Sequence, residues 1–187
     1  MEQSILEHAV AVASQAHHGS YRKGTKQPYL LHVLEAATVA ATMTCDEEIL
    51  AAAVLHDTVE DTPMTQEEIE AAFGSRVASL VADESEDKRR DLPPEQTWRI
   101  RKEEAIDHLK NASLDAKMVA LGDKLSNMRA ISRDYAALGD GLWLRFHQHD
   151  KSQHAWYYRS IADALSELAQ YDAWQEYAAL VERVFGE

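Results

Sequence analysis

A histidine and an aspartate stand side by side, His56-Asp57, directly after the apolar run Ala51-Ala52-Ala53-Val54-Leu55. Glu60 and Asp61 follow about one turn later. Helix positions three and four apart share a face, so a helix here sets His56 over Glu60, and Asp57 over both Glu60 and Asp61. One imidazole and three carboxylates at the end of a buried helix are costly unless paired or bound to a cation. A divalent metal is the economical explanation. The plain alternative is an exposed acidic helix end with a satisfied histidine.

A metal held by His56 and Asp57 needs more ligands. His32 stands just after the Pro28-Tyr29 turn, and Asp123 is the acidic residue of an apolar helical stretch with Val119, Leu121 and Leu125. Singly, His32 reads as a capped or surface histidine and Asp123 as an ion pair with Lys124. Together the four form a mixed nitrogen and oxygen site of a kind that suits manganese, iron or zinc with open positions for water or a phosphate oxygen.

The totals narrow the reading. The chain has 187 residues, of which 45% are hydrophobic, enough for one domain with a sizeable core. A single cysteine, Cys45, excludes an internal disulfide framework and fits a reducing compartment. No secretory signal or membrane-length apolar stretch is visible, so the expected place is the cytoplasm. The net charge of −13 argues against non-specific nucleic-acid binding. The basic residues are clustered, however: Arg22, Lys23 and Lys26; Lys88, Arg89 and Arg90; Arg99, Arg101 and Lys102. A local positive pocket in an acidic protein suits a small polyanion. The sequence sets no oligomeric state.

The helical period dominates, and no strand pattern with Asn-Gly or Asp-Gly turns occurs, so the expected fold is all-α. A first helix begins near Ile5 and stops near Gly19. Residues 20–29 form a polar basic loop. Helices are expected over 31–43, 47–61, 65–73 (with a capping box from Thr65 to Glu68), 76–84, 97–110, 113–135, 151–169 and 173–185, with a loop over 85–96. No linker divides the chain, so residues 1–187 read as one domain.

His32, His56-Asp57 and Asp123 in this order resemble the H…HD…D pattern of the HD-domain metal-dependent phosphohydrolases. The likeness extends to the hydrolase domains of RelA/SpoT-type proteins, carried by Ala16-His17 with Gly19, Arg22-Lys23-Gly24, Pro28-Tyr29, the HDxxED run His56 to Asp61, Phe73-Gly74, Glu86-Asp87-Lys88, Arg101-Lys102 and Asp123-Lys124-Leu125-Ser126-Asn127. It spans roughly residues 9 to 160, and the length resembles that of small stand-alone alarmone hydrolases, with no room for a synthetase domain. The resemblance implies a single HD-domain helical bundle that hydrolyses the 3′-pyrophosphate of ppGpp and pppGpp to pyrophosphate and GDP or GTP. It implies a divalent metal, with manganese first in line, on His32, His56, Asp57 and Asp123. Glu60 and Asp61 become the acid/base and water-orienting carboxylates. Arg22 and Lys23 meet the anionic groups or the base; Asn127 faces the same pocket; Lys88, Lys102 and Tyr157 are further substrate contacts, with Tyr157 and Tyr158 not told apart. The remaining readings are an HD phosphatase or pyrophosphatase for another phosphorylated nucleotide, and a non-catalytic nucleotide sensor. His147 and His149, two apart and outside the motifs, read as surface residues.

Overall fold

The computed structural model describes residues 3–89 and 91–186. Arg90 of the second basic cluster lies outside the described residues, as do Met1, Glu2 and Glu187 at the ends of the expected domain. The order is α1 (Ile5–Ala16), α2 (Leu30–Ala40), α3 (Glu47–Leu55), α4 (Thr58–Asp61), α5 (Gln66–Phe73), α6 (Ser75–Glu84), α7 (Pro94–Asn111), α8 (Leu114–Leu138), α9 (Lys151–Ala164) and α10 (Asp172–Phe185). Short 3₁₀ helices cover Gly139–Arg145 and Ser166–Leu168. No strand occurs among the described residues; an isolated bridge between Tyr21 and Pro28 closes the basic loop.

Local chemistry starts the helices. Ser4 and Glu7 form a capping box on α1, and Thr65 and Glu68 form the expected one on α5. Asp46, Ser113 and Asp150 cap α3, α8 and α9. Helix α8 is central: α2, α3, α6 and α10 all pack on it, and α1 and α2 flank α3. The run Ala51 to Leu55 is wholly buried, as its composition requires. A close approach of α2 and α8 depends on Gly122, where an added Cβ would lie 2.5 Å from the Ala36 carbonyl oxygen.

Several expected boundaries move. The helix expected over 47–61 is interrupted at His56-Asp57, where Asp57 takes φ −94° and ψ 0°. This bridge region of backbone space is one that active-site residues often occupy. Adjacent residues on an unbroken helix do not face each other; across this break His56 and Asp57 converge. Helix α2 ends at Ala40, and three turn residues follow it. Helix α7 starts at Pro94, inside the expected loop, because proline at a first helical position loses no hydrogen bond. Helix α9 ends at Ala164, with the 3₁₀ turn beyond it.

Candidate metal centre and cleft

Two helices and one turn bring the four expected ligands together. His32 comes from the first turn of α2, His56 and Asp57 from the break after α3, and Asp123 from α8. One ligand atom from each lies within 4.8 Å of all the others. His56 Nε2 is 2.9 Å from Asp57 Oδ2 and 3.6 Å from Asp123 Oδ1. His32 Nε2 is 3.4 Å and 3.2 Å from the same two oxygens.

The outer bonds decide what these nitrogens are. His56 Nδ1 lies 2.8 Å from the Ala53 carbonyl oxygen. A carbonyl only accepts, so Nδ1 carries the proton and Nε2 of the neutral ring is a bare acceptor. His32 Nδ1 lies 2.8 Å from Ser126 Oγ, whose own proton goes to Glu35 Oε2 at 2.7 Å. Ser126 therefore accepts from His32, and this Nε2 is also an acceptor. Two buried lone pairs thus face two carboxylates. His56 Nε2 has no hydrogen-bond partner. Only a cation between them satisfies the arrangement, a proton or a metal. The proton alternative shows as a His56 pKa held well above the usual value: burial pushes it down, but Asp57 and Asp123 outweigh burial. Burial likewise opposes ionisation of Asp57 and Asp123, yet neighbouring positive groups, His56 for Asp57 and Lys124 for Asp123, hold both well below the usual carboxylate range. The donor set fits a divalent metal, with outer partners that orient each imidazole.

Further residues brace the carboxylates. Tyr29 donates its hydroxyl to Asp57 Oδ2 at 2.7 Å. Burial, then the negative charge of Asp57, pushes the phenol up and keeps it protonated. Asn127 donates Nδ2 to Asp123 Oδ1 at 2.6 Å and accepts from Arg22 Nη2 at 2.7 Å. Lys124 donates to Asp123 Oδ2 and, at 3.2 Å, to Glu84. The expected ion pair of Asp123 and Lys124 is therefore present alongside the cluster, not instead of it.

A cavity of about 250 Å³ opens over this centre, lined by Tyr29, Asp57, Glu60, Asp61, Lys102, Asn127 and an aromatic wall from Trp98, Phe146, His154, Tyr157 and Tyr158. Glu60 accepts from the Glu86 amide at 3.2 Å and faces Lys88 Nζ at 3.1 Å. Burial raises its carboxyl above the usual value, with Lys88 opposing. Asp61 accepts from Lys88 at 2.6 Å. Lys102 donates to Glu86 at 2.5 Å, and its Nζ stands 4.9 Å from the Tyr157 ring centroid. Both lysines, expected to contact substrate, are thus held by carboxylates; Lys102 lines the cleft, while Lys88 stands behind its partners Glu60 and Asp61 and does not line it. Tyr157 and Tyr158 both line it. Arg22 and Lys23 line an adjoining cavity. His147 and His149 are exposed, as expected.

Sequence reasoning passed over Glu35 and Ser126 as outer partners, Tyr29 as a brace, and Trp98, Phe146 and His154 as lining. Ser126 and Tyr29 carried a signal, since they lie within the stretches Asp123 to Asn127 and Pro28-Tyr29 of the resemblance. The others depend on contacts between distant segments.

The profile of the HD domain family matches residues 9–146. A zebrafish (Danio rerio) protein named guanosine-3′,5′-bis(diphosphate) 3′-pyrophosphohydrolase MESH1 is 35% identical over 133 residues, which is 70% of this chain and 71% of that protein. Its namesake in Xenopus tropicalis is 39% identical over 132 residues, 69% of this chain and 70% of that one. A solved structure, described as a metazoan ortholog of SpoT that hydrolyses ppGpp and plays a role in starvation responses, superposes with a TM-score of 0.75 and 25% identity. The match covers 98% of this chain and 96% of that one. With the profile matching most of the chain and relatives of this identity along most of their length, this protein belongs to the HD-domain phosphohydrolase family.

Proposed function

We propose that this chain hydrolyses the 3′-pyrophosphate of ppGpp and pppGpp, releasing pyrophosphate as a unit and leaving GDP or GTP. The observation that carries the reading is the pair of imidazole lone pairs facing Asp57 and Asp123, beside a cleft that holds Glu60 and Asp61. The names of the MESH1 relatives and the described activity of the SpoT ortholog supply the substrate. A divalent cation on His32, His56, Asp57 and Asp123, manganese in our reading, would lower the pKa of a water and neutralise phosphate charge. The exposed, free Cys45 suits the cytoplasm as the place of action.

The protein's own groups do the rest. Glu60, with its raised pKa, is suited to hold a proton at its carboxyl and pass it to the leaving oxygen. Asp61 positions Lys88 and shares the acid/base role. Lys88 and Lys102 stabilise charge on the departing pyrophosphate by exchanging carboxylate partners for phosphate oxygens. Arg22, with Asn127 behind it, and Lys23 hold the nucleoside, Arg22 presenting a planar cation to base or phosphate. Tyr157 packs along the nucleotide from the opposite wall. In this reading the catalytic unit extends through α9, which completes the cleft.

The test is turnover of ppGpp by purified protein with added manganese, products identified by ³¹P NMR and chromatography. We expect GDP plus pyrophosphate, abolished by chelation. Orthophosphate as the first product would assign the chain to the phosphatases. Binding without turnover would make it a sensor.

A further inference from the structure

A second cavity joins the cleft at Asn127, Phe146 and Tyr158. Its charged lining is mostly basic: Arg22, Lys23, Arg133 and Arg145, with Asp134 the one acidic side chain. Arg145 comes from the 3₁₀ turn after α8, far in sequence from the basic loop. Gly24 brings the two together. It takes φ +72°, and a Cβ there would stand 2.8 Å from Arg145 Cδ, so the loop is shaped to let the arginine stem lie across it. Arg145 Nη1 donates to Asp134 Oδ2 at 2.9 Å, which fixes the fork. A guanidinium carries five N–H donors, so this one partner leaves donors for a ligand.

The cavity's position says which part of a ligand it meets. Asn127 links Asp123 of the metal centre to Arg22 of the loop. With the 3′-pyrophosphate at the metal centre, as the proposed function requires, the nucleoside runs over Asn127. The next anion along the molecule, on the 5′ carbon, then reaches the basic cavity. We propose that Arg145, positioned by Asp134 and Gly24, binds the 5′-diphosphate and makes the enzyme select nucleotides that carry one.

The substrate end of this inference rests on the hydrolase reading, but its test does not require turnover. Guanosine and GDP are titrated calorimetrically into wild type, Arg145→Ala and Arg145→Lys. Wild type should bind GDP about tenfold or more tighter than guanosine, the scale of one charge-assisted contact. Arg145→Ala should lose most of that preference with guanosine affinity and manganese affinity unchanged, and Arg145→Lys should recover part. With ppGpp, Arg145→Ala should raise KM and leave kcat within about twofold. Equal weakening of guanosine and GDP would place Arg145 on the base or in the fold and overturn the proposal, as would an unchanged preference. If wild type hydrolyses no ppGpp yet shows the Arg145-dependent preference for GDP, the hydrolase reading falls and the subsite stands. If it hydrolyses ppGpp and the preference ignores Arg145, the reverse holds.

Discussion

Gly122→Ala tests whether the contact between α2 and α8 sets the metal centre. The new Cβ would sit 2.5 Å from Ala36 O and 3.1 Å from Ala36 C, both backbone atoms with no rotamer to move. Relaxed carbon–oxygen contacts run to about 3.3 Å, so the helices must part by roughly 0.8 Å. Overpacking of this kind costs about 1–3 kcal/mol. Alanine returns about 0.8–1 kcal/mol of helix propensity. The net loss is about 0–2 kcal/mol, a fall of up to about 8 °C in Tm for a chain of this size. The larger effect falls on the site. Asp123 adjoins Gly122, and His32 lies one turn before Ala36, so the parting separates two ligands whose metal distances tolerate only about 0.2 Å. Manganese affinity should drop by about tenfold or more. Calorimetric titration with manganese, together with melting curves with and without the metal, reads both effects. Gly141→Ala serves as a control, since nothing lies within 4 Å of its Cβ position. A Gly122→Ala protein that is more stable than wild type and binds manganese normally would refute the reasoning.

Three other outcomes are expected. Glu60→Gln should keep its bound metal, measured by elemental analysis, while kcat falls by about 10² or more; near-normal turnover would remove Glu60 from the chemistry. Tyr29→Phe deletes the hydroxyl on Asp57 and should weaken manganese binding by about tenfold with little change in the apo melting temperature; unchanged affinity would make the bond incidental. Glu86→Gln probes pH: burial opposes ionisation of Glu86, but Lys102 and then Lys124 and Arg101 outweigh it and hold the carboxyl below the ordinary 4.5. A carboxylate depressed in the fold stabilises above its unfolded pKa and loses that contribution as pH falls through the folded value. The stability gap between wild type and Glu86→Gln, about 1–3 kcal/mol at neutral pH, should therefore close below about pH 4.5, and a gap that persists at low pH would contradict the pairing with Lys102.

What the sequence revealed and what it hid follow from the range of the interactions. The buried run Ala51 to Leu55 and the caps at Ser4 and Thr65 are local, and both are legible from neighbouring residues. The clustering of His32, His56, Asp57 and Asp123 was legible because ligand chemistry restricts residue types severely: few surroundings justify His56-Asp57 after so apolar a run. The break at Asp57 was hidden, since no glycine or proline marks it. The partners of Lys88 and Lys102 were hidden as well. Lysine at a phosphate site and lysine in an ion pair look alike in sequence, and here both side chains are held in ion pairs. Arg145 gave no signal, because its relation to Gly24 spans most of the chain.

The pairing has a consequence for how an acidic protein accommodates a polyanion. Lys88 is matched by Glu60 and Asp61, Lys102 by Glu86, and Lys124 by Glu84 and Asp123. Each cation is thereby held partly buried in or beside the cleft, where isolated charges are costly. At the centre the imidazoles of His32 and His56 face Asp57 and Asp123, whose negative charge Lys124 and the Tyr29 hydroxyl meet only in part. A demand for positive charge therefore remains among His32, His56, Asp57 and Asp123, one that a proton on His56 or a metal would meet. A divalent ion held by these four residues would meet that demand and would add to the attraction for phosphate oxygens that Lys88 and Lys102 supply.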